Sequence, residues 1–490
     1  MLILFAVVTG IAMQPCRRHA AASSAVSDRS INDILKDLDL TPSRKLGQNF
    51  MTDRNMAAWI VNAARPEPDD MVIEIGPGTG ALTEHLVGRC RNLVLVEMDG
   101  RLAKLQRERY GDRDDVTVIH ADAVQIDLRP YFKEQPVKVV GALPYSSGTE
   151  IVRTFMRNPS PVSCAVFTLQ NEVCDRLTAR PSSKEYGKMS IRVQVRWNVQ
   201  KLKLLPPELF YPQPKIDSAV VMLEPRDRSE FPAFDEKLLD RLTRQGFSQR
   251  RKQLKKLLPD SPRPWADVVD VLGASPMCRA EELSLRQWID LTNLYDDHPL
   301  KDVPQRADEM FDVVDDGNNV TGQRARAEVH AENLLHRAVH VFVLNSKGDL
   351  FLQKRSHLKD AHPEAWDSSA AGHLDVGESY VDCAVRELEE ELGIDTDSEA
   401  LTRLAEIPSC ENTGWEFVEL FSIRHKGKLR YPCSEVECGA WFSMDEINDW
   451  AARRPEDFAS GFLECLKAYG QRVSDRLLDV HYNYSNFNNE

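Results

Sequence analysis

Between residues 72 and 140, short apolar runs alternate with stretches whose apolar residues recur every three or four positions. Val72–Ile75, Leu93–Glu97 and Val116–His120 are of strand length and are closed by Gly or an acidic residue, and Val137–Val140 adds a fourth. Apolar runs without alternation mark parallel strands covered on both faces. Leu82–Cys90 and Arg101–Arg109, lying between the first three, carry helical spacing. This β-α-β-α-β order predicts a doubly wound α/β sheet, to which Ser218–Leu223 adds a late strand. Upstream, the spacing I-x-x-I-L-x-x-L-x-L from Ile31 predicts a short amphipathic helix, and the Ala/Ser-rich residues 14–30 predict no element.

Residues 226–300 have helical periodicity and predict a small helical domain. Asp296–Asn319 is polar, with Pro299, Pro304 and an Asp-Asp-Gly-Asn-Asn turn, and marks a domain boundary. Beyond it, Ala338–Leu344 and Leu350–Gln353 flank Ser346-Lys347-Gly348, a hairpin signal, and Ser379–Leu392 predicts a strongly charged helix. The expected organisation is an extension at 1–30, an α/β domain at 31–225, helices at 226–295, a linker at 296–307, a second α/β domain at 308–475 and a tail at 476–490.

Charge sharpens this division. The formal charge of −14 over 490 residues argues, as an average, against a nucleic-acid partner. Residues 1–300 hold 42 Lys and Arg against 39 Asp and Glu, while residues 301–490 hold 20 against 37. One half is near neutral and the other strongly acidic, so they have different electrostatic tasks. Ten cysteines without a C-x-x-C pair give neither a zinc knuckle nor a disulfide framework, and a reducing cytoplasm is expected. Met1–Met13 is too short to span a bilayer, and Arg17 and Arg18 follow it rather than precede it. It reads as an extension outside the fold, with a signal or anchor as the alternative; no membrane partner is expected.

The chemistry of the first half centres on Gly76-Pro77-Gly78-Thr79-Gly80, placed directly after an apolar strand. Glycines there let the backbone approach a ligand. Glu97 closes the next strand 21 positions after Gly76, a spacing that suits a carboxylate gripping both ribose hydroxyls of a nucleoside cofactor. Pro77, and Asp122 at the end of the third strand, favour S-adenosylmethionine over a dinucleotide. Lys45-Leu46-Gly47-Gln48-Asn49-Phe50, the glycine loop, Glu97, Asp122, Leu143-Pro144-Tyr145, Phe210-Tyr211-Pro212-Gln213-Pro214-Lys215-Ile216-Asp217-Ser218 and Gln249-Arg250-Arg251-Lys252 follow in order. Over about residues 31–295 they resemble the small-subunit ribosomal RNA adenine dimethyltransferase family. The resemblance implies a class I, Rossmann-like methyltransferase core and a helical RNA-binding domain. It also implies methyl transfer from S-adenosylmethionine to N6 of two adjacent adenines in small-subunit rRNA. Asn49, Met51, Gly76, Gly78, Glu97 and Asp122 would line the cofactor. Leu143, Pro144, Tyr145 and Phe210 would face the target base, with Tyr145 as the stacking ring.

The chain departs from that family at one position. The family's Asn-Leu-Pro-Tyr reads Ala142-Leu143-Pro144-Tyr145 here, and alanine cannot accept a hydrogen bond from the adenine amino group. Losing such a bond costs about 1–3 kcal/mol, or one to two decades of rate. Three outcomes stand open: slow methylation, rescue by Ser146 or Ser147, or an rRNA-binding assembly factor that does not methylate. The basic run containing Arg250, Arg251, Lys252, Lys255 and Lys256 suits phosphate contacts, which supply affinity without sequence information.

In the second half, Gly372, Glu378, Arg386-Glu387-Leu388, Glu390-Glu391 and Gly393-Ile394 match the fixed positions of the Nudix box. Glu387, Glu390 and Glu391 lie three and four apart, on one helix face. Carboxylates that close repel unless divalent cations neutralise them, and Mg²⁺ is the expected partner. Glu387 is the candidate catalytic group. The resemblance, over about residues 308–470, implies the Nudix α/β/α sandwich and hydrolysis of a nucleoside diphosphate derivative. His336-Arg337-Ala338, Gln353-Lys354-Arg355 and Trp366–His373 are also similar to isopentenyl diphosphate isomerases. Those enzymes carry a Cys before the Gly-His pair; with Ala371 there, hydrolysis is expected over isomerisation.

Overall fold

The computed structural model describes residues 30–43, 47–298, 300 and 306–472. The Met1–Met13 run, residues 14–29, Lys45-Leu46 and the tail 476–490 lie outside these. Strands β1 (Met71–Ile75), β2 (Asn92–Glu97), β3 (Val116–His120), β4 (Val137–Ala142), β5 (Val162–Gln170), β6 (Trp197–Leu205) and β7 (Ser218–Pro225) form one sheet, ordered β3-β2-β1-β4-β5-β7-β6. The first five run parallel, and β7 is antiparallel to both neighbours. Every residue of β1 is buried, which explains its apolar run, interrupted only by Glu74. The order reverses at β1, so the crevice beyond the ends of β1, β2 and β4 is where such a sheet takes a ligand.

Helix α1 (Ile31–Asp37) packs through Leu35 with Phe50 and Leu102, while α2 (Arg54–Ala63) and α3 (Gly100–Tyr110) are among those that cover this sheet. The helix expected over Leu82–Cys90 is shorter, at Thr83–Leu86. Val87 leaves the helical region and Gly88 takes φ +76°, which ends the turn. Helices α4 (Glu236–Gly246), α5 (Trp265–Leu272) and α6 (Leu285–Tyr295) form the helical layer. Its core of Leu242, Val268 and Trp288 also takes in Tyr186 and Ile191 from before the expected boundary at 226. The Tyr186 hydroxyl donates to Leu283 O at 3.0 Å, which ties the two segments together.

The second half contains β8 (Met310–Val314), β9 (Val320–Ala325), α7 (Arg326–Glu332), β10 (His336–Leu344), β11 (Leu350–Arg355), β12 (Trp366–Asp367), β13 (Ala370–His373), α8 (Tyr380–Leu392), β14 (Thr402–Ile407), β15 (Glu416–Arg424), β16 (Val436–Phe442) and α9 (Met444–Arg453). Its mixed sheet runs β12-β11-β10-β15-β14, with β13 on β10 and β16 on β11. The hairpin signal at 346–348 joins β10 to β11, with Leu344 facing Leu350. The polar stretch 296–319 does not end where the second half begins. From Met310 it is strand β8, paired with β9, and Phe311 stacks on His336 with ring centroids 5.8 Å apart.

The halves touch. Phe132, on a 3₁₀ turn after β3, is buried among Trp366, Phe442 and Trp450, with ring centroids 5.0–5.7 Å away. Around it Arg129 Nη1 donates to Trp441 O at 3.0 Å, Lys133 pairs with Asp449, and Arg453 pairs with Glu134 at 2.7 Å. A second contact buries Glu437 against Arg196 and Arg228. Among the described residues no helix is long and apolar enough to cross a membrane, and the described cysteines form no disulfide with one another.

Candidate functional sites

A cavity of about 280 Å³ opens at the reversal point of the first sheet. Asn49 and Met51 line it from one side, Gly76 and Gly78 from the glycine loop, and Glu97 and Asp122 from the ends of β2 and β3. Leu143, Pro144 and Tyr145, after β4, and Phe210 close the remainder. Two short pairings explain how distant segments meet. Phe50–Met51 pairs with Phe210–Tyr211, and Thr52 N–H donates to Leu209 O at 2.9 Å.

The glycine loop is built for close approach. Gly78 has φ +56°, and a Cβ on it would sit 3.1 Å from the Phe50 ring. Its N–H donates to Glu97 Oε2 at 3.0 Å, while Asp99 N–H donates to Glu97 Oε1 at 2.9 Å. Burial still raises the Glu97 carboxyl above its ordinary value, against those bonds. The deeper Glu74, also on the cavity wall, is pushed up to about 8 by burial, with Thr83 opposing. Two buried carboxyls facing this cavity suit a ligand that carries positive charge and ribose hydroxyls.

On the floor, the Tyr145 hydroxyl is hydrogen-bonded to Ser218 Oγ, which fixes the ring. Ala142 pairs in register with Thr168 on β5, and both line the cavity. Thr168 is 2% exposed, and its hydroxyl has no hydrogen-bond partner. Ser146 is exposed at the rim and Ser147 half-buried.

The basic run folds as turns and a 3₁₀ turn, Leu254–Lys256, with Leu254 as its buried anchor. Arg251, Lys252, Lys255 and Lys256 are exposed. Arg250 is tied down instead: it pairs with Glu281 at 2.7 Å and donates to Lys184 O at 2.7 Å.

In the second half a cavity of about 350 Å³ is lined by Glu387, Glu390 and Glu391 of α8 and by β13. Glu387 and Glu391 are buried. Arg386 Nη1 donates to Glu387 Oε1 at 2.7 Å and to Glu390 Oε2 at 3.2 Å, and its other nitrogens grip Glu378 at 3.0 Å. Glu391 accepts from Ala371 N–H at 3.1 Å. Burial, then the neighbouring Glu391, raise the Glu387 carboxyl to about 8. A hard oxygen set that repels itself this strongly fits a divalent cation. Gly372 makes room for it: a Cβ there would lie 1.9 Å from Glu387 Oε1. Arg355 and Lys359 also line this cavity, paired with Asp367 and Glu435.

Sequence reasoning missed several groups here. His330, His336 and His373 bring ring nitrogens within 4.8 Å of one another, a set able to hold a cation, and His373 contacts Glu416 Oε1 at 3.0 Å. Burial lowers His373 to about 4. Glu416 comes from β15, far along the chain, and no spacing rule linked it to the Gly-His pair. Thr168 was missed for the same reason, whereas Glu74, two residues before Gly76, was read only as part of its strand.

The sequence model of the ribosomal RNA adenine dimethylase family matches residues 40–297, and that of the NUDIX domain matches residues 334–460. The ribosomal RNA small subunit methyltransferase A of Chromobacterium violaceum is 38% identical over 255 residues, 51% of this chain and 95% of that protein. Its namesake in Picosynechococcus sp. is 36% identical over 274 residues, 53% of this chain and 99% of that protein. The crystal structure of the 23S rRNA methyltransferase ErmE is 26% identical, covering 51% of this chain and 100% of that one, at a TM-score of 0.42. The chain belongs to the ribosomal RNA adenine dimethylase family and carries a NUDIX domain after it.

Proposed function

We propose that the first half transfers methyl groups from S-adenosylmethionine to N6 of adjacent adenines in small-subunit rRNA. We propose that the second half hydrolyses a nucleoside diphosphate derivative with Mg²⁺. The observation that supports the first reading is one cavity holding the glycine loop, Glu97, Asp122 and the Leu143–Tyr145 segment together. The donor, when bound, supplies an electrophilic methyl sulfonium. Glu97 would hold its ribose and Asp122 its adenine end. Tyr145 would stack on a flipped-out base, and Phe210 would offer a second ring. Arg251, Lys252, Lys255 and Lys256 would meet RNA phosphates.

Labelled S-adenosylmethionine and immature small subunits test this. Label in adenine is expected, and an Ala142→Asn variant should transfer faster. Tight subunit binding without label would instead favour the assembly-factor reading, which the methyl group of Ala142 supports.

The second reading rests on the buried carboxylates of α8. Glu387, Glu390 and Glu391 would hold the cation, which when bound polarises the diphosphate. Glu387 would take the proton of the attacking water. Glu387→Gln should abolish Mg²⁺-dependent hydrolysis across a panel of nucleoside diphosphate derivatives; surviving activity would overturn the assignment.

A further inference from the structure

We propose that Thr168 Oγ1 is the side-chain acceptor for the target amino group, taking the place that Ala142 leaves empty. The inference rests on the methyltransferase reading above. An adenine amino group has its lone pair drawn into the ring. To attack a methyl group it must be held by acceptors that take its two hydrogens and turn the lone pair toward the donor.

The end of β4, beside Tyr145, is where that amino group has to lie. Position 142 presents only a methyl there. Its partner in the parallel register is Thr168, one strand away and therefore on the same face of the sheet. Both residues line the cavity, with the Thr168 hydroxyl buried at its wall. The surrounding face is apolar: Val140, Val166 and Val220 lie along it with Phe210 and Met51. Thr168 is the exception in that patch. A β-strand position this deep would pack a valine equally well, and a buried hydroxyl without a partner is destabilising. Its Oγ1 has no partner among the described residues. Leu143 N–H is spent on the Thr168 carbonyl at 3.0 Å, which fixes the two strands at this point. The hydroxyl thus stands ready to accept from the amino group, directly or through one bound water in the space a larger side chain at 142 would fill.

Thr168→Val keeps shape and volume and removes only the hydroxyl. With full-length protein, labelled donor and immature small subunits, kcat should fall about ten- to a hundredfold. The KM for the donor should stay within about twofold, because Thr168 holds the acceptor base. The melting temperature should be unchanged or higher, an outcome that a packing role for Thr168 would reverse. Thr168→Ser should keep most of the rate. In an Ala142→Asn background Thr168→Val should cost little, since the amide then supplies the acceptor.

If the wild type transfers label and Thr168→Val matches it, the proposal falls and the methyltransferase reading stands. A rate lost in Ser147→Ala but kept in Thr168→Val would overturn it in favour of the serine. If the wild type transfers no label to adenine, the functional reading fails and takes this proposal with it.

Discussion

Glu74 and Gly372 show how much a single position can carry. Glu74 is 1% exposed on a strand covered from both sides, and burial pushes its carboxyl from the ordinary 4.5 up to about 8. The folded state therefore keeps a proton that the unfolded chain has lost above pH 4.5. Its contribution to stability is complete below that pH and declines as pH rises to about 8, by at most about 1.4 kcal/mol per pH unit. Urea unfolding of wild type and Glu74→Gln at pH 5 and pH 8 measures this. The wild type should lose on the order of 2–4 kcal/mol more than the variant over that interval; parallel losses would show that Glu74 ionises freely. Gly372 works by absence. Its Cβ would overlap the Glu387 carboxylate, so Gly372→Ala should weaken Mg²⁺ binding by tenfold or more in calorimetry. Unaltered affinity would mean that Glu387 is not a ligand. Gly372 and Glu387 were legible in the sequence because a loop and one helix fix their spacing. Thr168 was not, because its nearness to Ala142 is set by the register of two strands, which no count along the chain reveals.

At the scale of elements, burial decided what could be read. Strands β1 and β2 announce themselves because both faces are covered and their runs are almost wholly apolar, with Glu74 and Glu97 as buried exceptions. β6 is an edge strand with exposed Asn198 and Leu204, so its run WNVQKLKLL mixes polar and apolar positions and carries no clear strand signal. α8 was legible at both ends, from Ser379, whose side chain accepts from Asp382 N–H, to Gly393 at φ +66°. Its weakness lies in the middle, where Glu387, Glu390 and Glu391 crowd one turn and Arg386 bridges Glu387 and Glu390 to Glu378. Arg386→Met should lower stability by roughly 2–4 kcal/mol in chelator, less than a fully buried pair because the side chain is 26% exposed. Saturating Mg²⁺ should recover part of that loss, since a cation replaces some of the missing charge. Thermal melts with and without Mg²⁺ read both effects. Equal destabilisation in the two conditions would place the cation away from α8.

For the whole molecule, the charge asymmetry between the halves acquires a second use. The acidic half does not simply hang from a linker; its Asp449 and Glu437 meet Lys133, Arg196 and Arg228 of the first half. Burial would raise the Glu437 carboxyl, yet Arg196 and the groups around it hold it well below the usual carboxylate range. The apolar part of the contact is Phe132, in a stretch, Leu128-Arg129-Pro130-Tyr131-Phe132, to which the hydrophobic pattern assigns no element. The ring belongs to one half by sequence and to the core of the other by packing. It also sits on the segment that runs from Asp122, at the methyl-donor cavity, to β4, so docking of the second half bears on the backbone that shapes the first site. Phe132→Ala in the full chain should cost about 3–5 kcal/mol at the contact and split unfolding into two separated transitions, because the halves then lose their main shared anchor. Donor affinity should fall in the same variant, while Phe132→Leu, which refills most of the volume, should restore both. A single transition at the wild-type temperature, with donor binding intact, would mean that the halves fold and work independently despite their contact.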